Sequence, residues 1–179
     1  LYPCDAVSAG RLVVVSAAHT GMTYMRTSRP KTPVIYTEDD EFVIGGSKVL
    51  RESPNDVATV VAAGVTVFEA LAAHDALLKV GIHLRVIDAY SVQPIDGETM
   101  VRAGEATGSR LITVEDHYAA GGLGDAVSDA VASHGITVTR LAVRAVPRSG
   151  KGDQLLDRFG ISSTQIVAAV QAQVAAASA

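Results

Sequence analysis

Short runs of apolar and β-branched residues alternate along the chain with longer, alanine-rich stretches whose apolar residues recur at helical spacing. This alternation is typical of βαβ units, in which helices join parallel strands and cover both faces of the sheet. The runs that predict strands of this sheet are KVLRES, DVATVVAAG, HLRVIDAY, RLITVE and ITVTRLAV. We therefore expect the α/β fold class, as a three-layer α/β/α sandwich around a mostly parallel sheet of about five strands.

The stretches around these runs predict helices, because most begin with a side chain that can accept a free backbone N–H. A first helix, DAVSAGRLVVVSAAH, precedes the sheet, although LVVVS alone would also pass as a strand. Two T/S-x-x-E/Q patterns predict capping boxes, and the second opens a last helix that runs into QAQVAAAS. The predicted caps are Asp5, Thr66 with Glu69, Asp96, and Ser162 with Gln165.

Residues 22–46 interrupt this alternation. MTYMRTS predicts one more strand, and the stretch from residue 29 to 46 combines two prolines, an acidic cluster and a glycine pair. That composition indicates an extended linker, so we place a domain boundary there. The opening residues, LYPCDAVSAG, lack an initiating methionine and a basic signal-peptide region, so we expect the chain to begin inside a longer protein.

Composition and charge argue against several classes of function. The net charge is −4 and no basic run is present, so the electrostatic footprint of a nucleic-acid-binding protein is missing. The apolar runs are broken well short of a membrane span of roughly 20 residues. Cys4 is the only cysteine, which rules out an internal disulfide and is typical of a chain that is cytoplasmic or indifferent to its redox compartment; we expect the cytoplasm. We expect neither a nucleic acid nor a membrane as partner.

The glycines after the RLITVE strand resemble part of a dinucleotide-binding loop. Gly122 and Gly124 supply the first two positions of G-x-G-x-x-G, but Val127 occupies the third. Arg144 stands where an acidic residue would bind the ribose. We therefore predict a steric role for the glycines, which let the backbone turn sharply into a helix, with Asp125 favoured in its first turn.

VPRSGKGD, residues 146–153, places a Gly-Lys pair before a predicted helix. A phosphate-binding loop requires G-x-x-x-x-G-K-[ST], but Gly152 follows the lysine and Ala145 occupies the first glycine position. Two interpretations stay open: a solvated loop, which is favoured, and a weak anion site at the helix start that uses Arg148 and Lys151.

Glu115, Asp116 and His117 lie at the carboxyl end of the RLITVE strand, which is the edge where open α/β sheets bind ligands. Carboxylates in a cleft sometimes tune a catalytic site, so an acid–base cluster is one interpretation. The alternative is a structural passage from strand to helix. The local spacing does not separate the two.

TSRP, residues 27–30, carries the candidate binding residue. Pro30 disfavours helix at the preceding position, so Arg29 is expected to be extended at the carboxyl end of the MTYMRTS strand. A guanidinium at that edge can hold a phosphate through two parallel hydrogen bonds. From these residues alone, a surface ion pair is the commoner role for an arginine. Strand alternation points Arg26 to the opposite face, and we assign it only such an ion pair.

Longer motifs occur in a specific order along nearly the whole chain, and together they resemble the transketolase family, in its animal-type form. The motifs are LYPCD, MRTSRP, GVTVFEALAAH, LRVIDAYSVQPID, ITVEDHYAAGGLGDAVSDAV, GITVTRLAVRAVPRSGK and LLDRFGI. The resemblance implies that residues 1–36 end the pyrimidine-binding domain, that 37–47 are a linker, and that 48–179 are the C-terminal domain. It also implies a mixed sheet whose first strand, here KVLRES, is antiparallel.

This resemblance implies a function for the longer protein. Transketolases transfer a two-carbon ketol unit from a ketose phosphate to an aldose phosphate, with thiamine diphosphate and Mg²⁺ or Ca²⁺ held between the two subunits of a homodimer. The family's arginine in the motif matching TSRP binds the substrate phosphate, a role that carries over to Arg29. In the family, Glu115, Asp116 and His117 fall on a strand-to-helix passage, which favours packing and domain-interface hydrogen bonds as their role.

The resemblance also implies what this chain lacks. The family's activating glutamate, its histidine-rich substrate channel and its Gly-Asp-Gly metal motif precede the matching region, so no catalytic, cofactor-binding or metal-binding residue is assigned here. We expect the chain alone to be inactive, to bind no cofactor, and to serve structure, assembly and substrate-phosphate contact beside the missing N-terminal portion. Stability is expected mainly in residues 48–179, and residues 1–36 should be labile or find substitute contacts.

Two alternatives differ in class. One is the C-terminal part of another thiamine diphosphate enzyme, of the pyruvate dehydrogenase beta subunit or deoxyxylulose phosphate synthase type, although TSRP and EDHYAAGGLG fit those families less well. The other is a non-catalytic α/β module that only docks partners.

Overall fold

The computed structural model describes residues 1–177, which form five strands and six α-helices. The strands are β1 (Lys48–Arg51), β2 (Asp56–Ala62), β3 (His83–Asp88), β4 (Arg110–Tyr118) and β5 (Thr137–Val143). The helices are α1 (Ala6–Ala18), α2 (Thr66–Leu78), α3 (Gly97–Ala106), α4 (Leu123–Val131), α5 (Gly152–Arg158) and α6 (Ser163–Ala177). The predicted last helix is therefore present, and its final residue, Ser178, lies outside the described residues.

The sheet has the order β1-β3-β2-β4-β5. β1 pairs with β3 in the antiparallel sense, and the other neighbours pair in parallel. The fold class is thus confirmed, including the antiparallel first strand. The order places β3 on one side of β2 and β4 on the other, so the chain reverses its direction of winding at β2.

Helices cover both faces of the sheet because the central strands bury side chains on both sides. In β2, Val60 belongs to the core under α2 and α6, whereas the next residue, Val61, belongs to the core under α3 and α4. The same alternation separates Leu111 from Ile112 in β4. Successive side chains of a strand point to opposite faces, so an unbroken apolar run fills two cores at once.

Of the four predicted helix caps, the two aspartate caps are confirmed and the two capping boxes do not form. The carboxylates of Asp5 and Asp96 accept the N–H of Ser8 and of Thr99, respectively. The hydroxyl of Thr66, however, donates to the carbonyl of Val114 at 2.8 Å, and α2 begins without a side-chain cap. Its predicted partner Glu69 accepts the N–H of Ser163 at 2.7 Å, so that carboxylate instead links α2 to the start of α6. In the second predicted box, the hydroxyl of Ser162 donates to Asp157.

The strand predicted for MTYMRTS is wrong. Residues 22–28 form no strand, because no neighbouring strand pairs with them. Their backbone is attached instead to the first residue: the nitrogen of Leu1 donates to the carbonyl of Tyr24 at 2.8 Å, and the N–H of Arg26 donates to the carbonyl of Leu1 at 2.9 Å. The following stretch, residues 29–47, contains neither helix nor strand, and its assignment as a linker stays a prediction.

Residues 1–47 are nevertheless packed on the sheet. Tyr2 belongs to one core, and Cys4, Leu12, Tyr36 and Phe42 belong to the other. Asp5 also holds this part of the chain together, since its second carboxylate oxygen accepts the N–H groups of residues 35 and 36. The N-terminal part thus has packing and hydrogen-bond contacts of its own within the described chain, and its expected lability stays a prediction.

A buried carboxyl group joins this N-terminal part to the sheet. Asp88, at the end of β3, accepts the hydroxyl of Tyr36 at 2.8 Å and the thiol of Cys4 at 3.4 Å, both on Oδ2. Its Oδ1 has no hydrogen-bond partner. Burial raises the pKa of Asp88 to about 7, against the lowering effect of those two hydrogen bonds. None of the helices described is long and apolar enough to cross a membrane.

Candidate functional site

A cavity of about 520 Å³ opens at the carboxyl ends of β2 and β4. Its walls include Tyr2 and Arg26 from the N-terminal part, Ala63 after β2, the end of β4 from Glu115 to His117, and the start of α4. β2 is also where the strand order reverses, and open α/β sheets bind ligands in the crevice outside such a switch point. This cavity is therefore the candidate site.

Glu115 lines the cavity and holds the start of α4 in place. The side chain is buried, and its two oxygens accept the N–H groups of Leu123 at 2.7 Å and Gly124 at 2.9 Å. Those N–H groups have no partner within the helix, so the carboxylate acts as an N-cap from a neighbouring strand. Burial raises the pKa of Glu115, although the same two N–H groups favour the charged form.

The steric role predicted for the glycines has a specific cause. A Cβ atom at Gly122 would lie 1.9 Å from Oε2 of Glu115, and one at Gly124 would lie 2.4 Å from Nε of Arg140. Gly121 has a φ of +72°, which side chains rarely adopt. Asp125 lies in the first turn of α4 as predicted, where it pairs with Arg140 at 2.7 Å.

Asp116 faces away from Glu115 and binds the N-terminal part. Its carboxylate accepts two hydrogen bonds from the guanidinium of Arg26, at 2.7 and 3.1 Å, and a third from the hydroxyl of Tyr2 at 3.1 Å. The guanidinium carbon lies 4.6 Å from the centre of the Tyr2 ring. Burial and the charge of Asp116 raise the pKa of Tyr2 to about 12, so the tyrosine is a neutral donor.

The Tyr2 ring lies directly on the backbone of Gly64, just after β2. A Cβ atom at position 64 would be 2.0 Å from the ring carbon Cζ, and Gly64 has a φ of +58°. Only glycine leaves room for the ring here. We refer to Tyr2, Arg26 and Asp116 together as the clamp.

His117 takes no part in either contact. Its ring is exposed, and Nδ1 lies 2.9 Å from the carbonyl oxygen of Tyr118. The three consecutive side chains therefore serve three purposes: Glu115 fixes α4, Asp116 holds Arg26, and His117 faces solvent at the cavity wall. This arrangement agrees with the structural interpretation of the segment.

The structure brings together only some of the residues that the sequence singles out. Arg26 forms the ion pair predicted for it, whereas Arg29 is exposed and makes no hydrogen bond or ion pair with the described residues. Arg148 and Lys151 lie on an exposed loop before the seven-residue helix α5. Among residues 1–177, no group of three or more histidine, cysteine or acidic side chains is arranged to hold a metal ion.

Sequence reasoning missed the clamp and the buried carboxyl of Asp88. Tyr2 and Asp116 are separated by 114 positions, so no local pattern links them. The sequence does contain one indication of the Asp88 site. Asp88 ends the apolar run of β3, and a carboxylate buried there needs hydrogen-bond donors. The donors themselves, Tyr36 and Cys4, could not be found from that indication.

Comparison with known proteins identifies the family to which the chain is similar. Residues 47–166 match the family model described as "Transketolase, C-terminal domain". The chain is 54% identical over 171 residues to transketolase-like protein 1 of Bos taurus, covering 95% of this chain and 29% of that protein. It is 46% identical over 174 residues to the transketolase of Mus musculus, covering 97% of this chain and 28% of that protein.

A solved structure, "Split gene transketolase, inactive beta4 tetramer", superposes with a TM-score of 0.87 at 34% identity, over 97% of this chain and 56% of that chain. The chain thus spans less than a third of the length of the two curated relatives. The family model covers well over half of the chain, in the region that forms the sheet. This chain therefore belongs to the transketolase family, and residues 47–166 carry its C-terminal domain.

Proposed function

We propose that this chain is part of a transketolase that transfers a two-carbon ketol unit from a ketose phosphate to an aldose phosphate. The observation that carries the proposal is the match of residues 47–166 to the family's C-terminal domain, supported by relatives named transketolase at 46% identity. Thiamine diphosphate with Mg²⁺ or Ca²⁺ would supply a carbanion that accepts the ketol unit.

The proposed role of this chain is structure, assembly and contact with the substrate phosphate. The described residues offer no cluster of metal ligands, so no step is assigned to a metal on this chain. In line with the family resemblance, we place the cofactor in another part of the protein and regard the isolated chain as inactive. We further propose a homodimer in the cytoplasm, with residues 1–36 as the end of the pyrimidine-binding domain, 37–47 as linker and 48–179 as C-terminal domain.

Arg29 is the proposed phosphate contact. Support comes from its exposed guanidinium, which has no partner among the described residues and is free to form a bidentate pair with a phosphate. Residues 29 and 30 form a bend, and Pro30 restricts the backbone conformation of Arg29, which favours a fixed direction for the side chain.

The test compares two acceptors that differ only in the phosphate, ribose 5-phosphate and ribose, with xylulose 5-phosphate as donor. In the longer transketolase, Arg29→Ala should lower kcat/KM for ribose 5-phosphate about 10- to 100-fold, as expected for loss of a charge-assisted hydrogen bond. The value for ribose should change little. Arg144→Ala, which removes an exposed arginine beyond β5, is the matched control. Equal losses for both acceptors would rule out a phosphate contact.

A second candidate is a non-catalytic assembly module whose thiamine-binding part is a separate chain. One observation favours it: the split-gene transketolase superposes on 97% of this chain. A gene that encodes the thiamine-binding part in the same reading frame would exclude it. Turnover of pyruvate rather than xylulose 5-phosphate by the longer protein would instead indicate another thiamine diphosphate enzyme.

A further inference from the structure

The segment that carries Arg29 has few attachments of its own. Residues 22–28 belong to no strand, and their backbone is hydrogen-bonded to Leu1 alone among the contacts described above. Within residues 22–29, Arg26 is the one residue whose side chain makes a hydrogen bond or ion pair to the rest of the described chain. Met25 adds apolar packing against the core.

Arg26 is held on three sides. Both terminal nitrogens of its guanidinium donate to the carboxylate of Asp116, and one also donates to the Asp116 carbonyl at 3.3 Å. The Tyr2 ring lies under the guanidinium and donates its hydroxyl to the same carboxylate. A bidentate pair fixes the direction of both partners as well as their distance, which a single ion pair does not.

Asp116 and its neighbour Glu115 bind different parts of the chain. Both oxygens of Glu115 are occupied by the N–H groups of α4, on the opposite face of β4. β4 pairs with β2 as far as Val114 and with β5 as far as Tyr118, so Asp116 projects from the part of β4 that β5 flanks, where the register shifts. The clamp therefore ties a segment without strand partners to the end of β4 in the C-terminal domain.

Arg29 follows Arg26 by three residues, a chain length of at most about 11 Å when extended. Movement of the clamp would therefore shift the Arg29 guanidinium relative to the sheet. A phosphate contact depends on placement within a fraction of an ångström, whereas the chemical step on the sugar does not involve this guanidinium.

We propose that Asp116 is a positioning residue for the substrate-phosphate site, because it holds Arg26 and thereby sets the position of Arg29. This inference rests on the proposed phosphate contact of Arg29. It assigns the C-terminal domain a part in selecting phosphorylated substrates, although none of its own side chains needs to touch the phosphate.

The first experiment measures KM and kcat of the longer transketolase with ribose 5-phosphate and with ribose. Asp116→Asn keeps the shape of the side chain and removes its charge, and Arg26→Lys keeps a charge but cannot pair bidentately. Each should raise KM for ribose 5-phosphate on the order of three- to tenfold, with kcat and the KM for ribose within about twofold. Asp129→Asn, which alters an exposed aspartate on α4, is the matched control.

The second experiment follows the segment itself by hydrogen exchange of the chain described here. Asp116→Asn should speed the exchange of the Arg26 N–H, which is bonded to Leu1 and is the one amide of residues 22–29 with a hydrogen-bond partner among the described residues, and should leave the amides of α2 unchanged. Arg26→Lys gives a second, more conservative variant should the asparagine variant unfold.

The outcomes distinguish failure of the proposed phosphate contact of Arg29 from failure of the proposed positioning role of Asp116. If Arg29→Ala leaves discrimination between the two acceptors intact, the phosphate contact itself is wrong. If Arg29→Ala abolishes discrimination but Asp116→Asn and Arg26→Lys preserve it, Asp116 does not position Arg29. Unchanged exchange of the Arg26 N–H in the asparagine variant would overturn the clamp as the attachment of that segment.

Discussion

Single side chains at the end of β4 decide how the candidate site is built. Glu115 caps α4 from a different element, and this requires a backbone without Cβ atoms at the two positions that its carboxylate and Arg140 approach. The glycines are thus explained by the carboxylate rather than by a bound nucleotide. A buried carboxylate with two N–H donors is also difficult to move, because displacement would leave those donors unpaired.

At this scale, Gly122→Ala should destabilise the chain by about 1–3 kcal/mol, because its methyl group would overlap Oε2 of Glu115 and displace the carboxylate from the α4 N–H groups. Urea unfolding of the variant and the native chain measures the difference. Gly10→Ala is the matched control, since a Cβ atom there meets nothing within 4 Å and alanine favours the helix. Equal stability of the two alanine variants would mean that the Glu115 carboxylate does not exclude a side chain at position 122.

At the scale of elements, the sequence predicts what depends on neighbours along the chain. The five strands of the sheet could be placed because β-branched runs such as DVATVVAAG bury both faces, and α1 and α3 could be placed by their Asp caps. The Thr66 capping box failed because Val114 and Ser163, both distant in sequence, compete for the same two side chains. MTYMRTS failed because a strand needs a partner, which no local pattern reveals.

The candidate site was predictable to a smaller extent for the same reason. The sequence placed Glu115, Asp116 and His117 at the carboxyl end of a strand and correctly gave Arg26 an ion pair. It could not identify Asp116 as the partner or add Tyr2, since those contacts form only when the first residues fold back onto β4. The role of Arg29 stays a prediction.

The link between the N-terminal part and β3 should make stability depend on pH. Burial raises the pKa of Asp88 to about 7, so the folded chain binds this proton more tightly than the unfolded chain. The stabilisation is complete below the unfolded pKa of about 4 and is lost as pH rises toward the folded value. The contribution of this one proton therefore lowers the free energy of unfolding between about pH 4 and 7, by at most about 1.4 kcal/mol per pH unit.

The measurement is urea unfolding of the native chain and of Asp88→Asn across that pH range. The difference in unfolding free energy between them should decrease with rising pH, because asparagine cannot take up the proton. Asp39→Asn changes an exposed aspartate that does not contact Asp88. Its unfolding free energy should change with pH in the same way as that of the native chain. Parallel curves for Asp88→Asn as well would show that the carboxyl is not titrating in this range.

At the scale of the whole molecule, the chain forms a packed α/β domain with an N-terminal part folded onto it. The sheet and most of its two cores lie within the region that matches the family. The core residues outside that region are Tyr2, Cys4, Leu12, Tyr36, Phe42 and Val170. We therefore propose that folding and catalysis are separable for this chain: it has cores of its own, whereas the proposed reaction would need other parts of a transketolase.

Calorimetry tests that separation. We expect no saturable heat when thiamine diphosphate and Mg²⁺ are titrated into the isolated chain, because the family resemblance places the residues that hold them in preceding parts of the protein. The longer transketolase, titrated under the same conditions, is the positive control. Saturable binding by the isolated chain would contradict the proposed division of roles.

The contact between the Tyr2 ring and Gly64 links the evolution of two distant positions. A side chain at position 64 would displace the Tyr2 ring. A smaller residue at position 2 would leave a cavity next to the backbone of Gly64. Natural selection should therefore preserve or replace the two residues as a pair. A lineage that acquires a side chain at position 64 should carry a smaller residue at position 2.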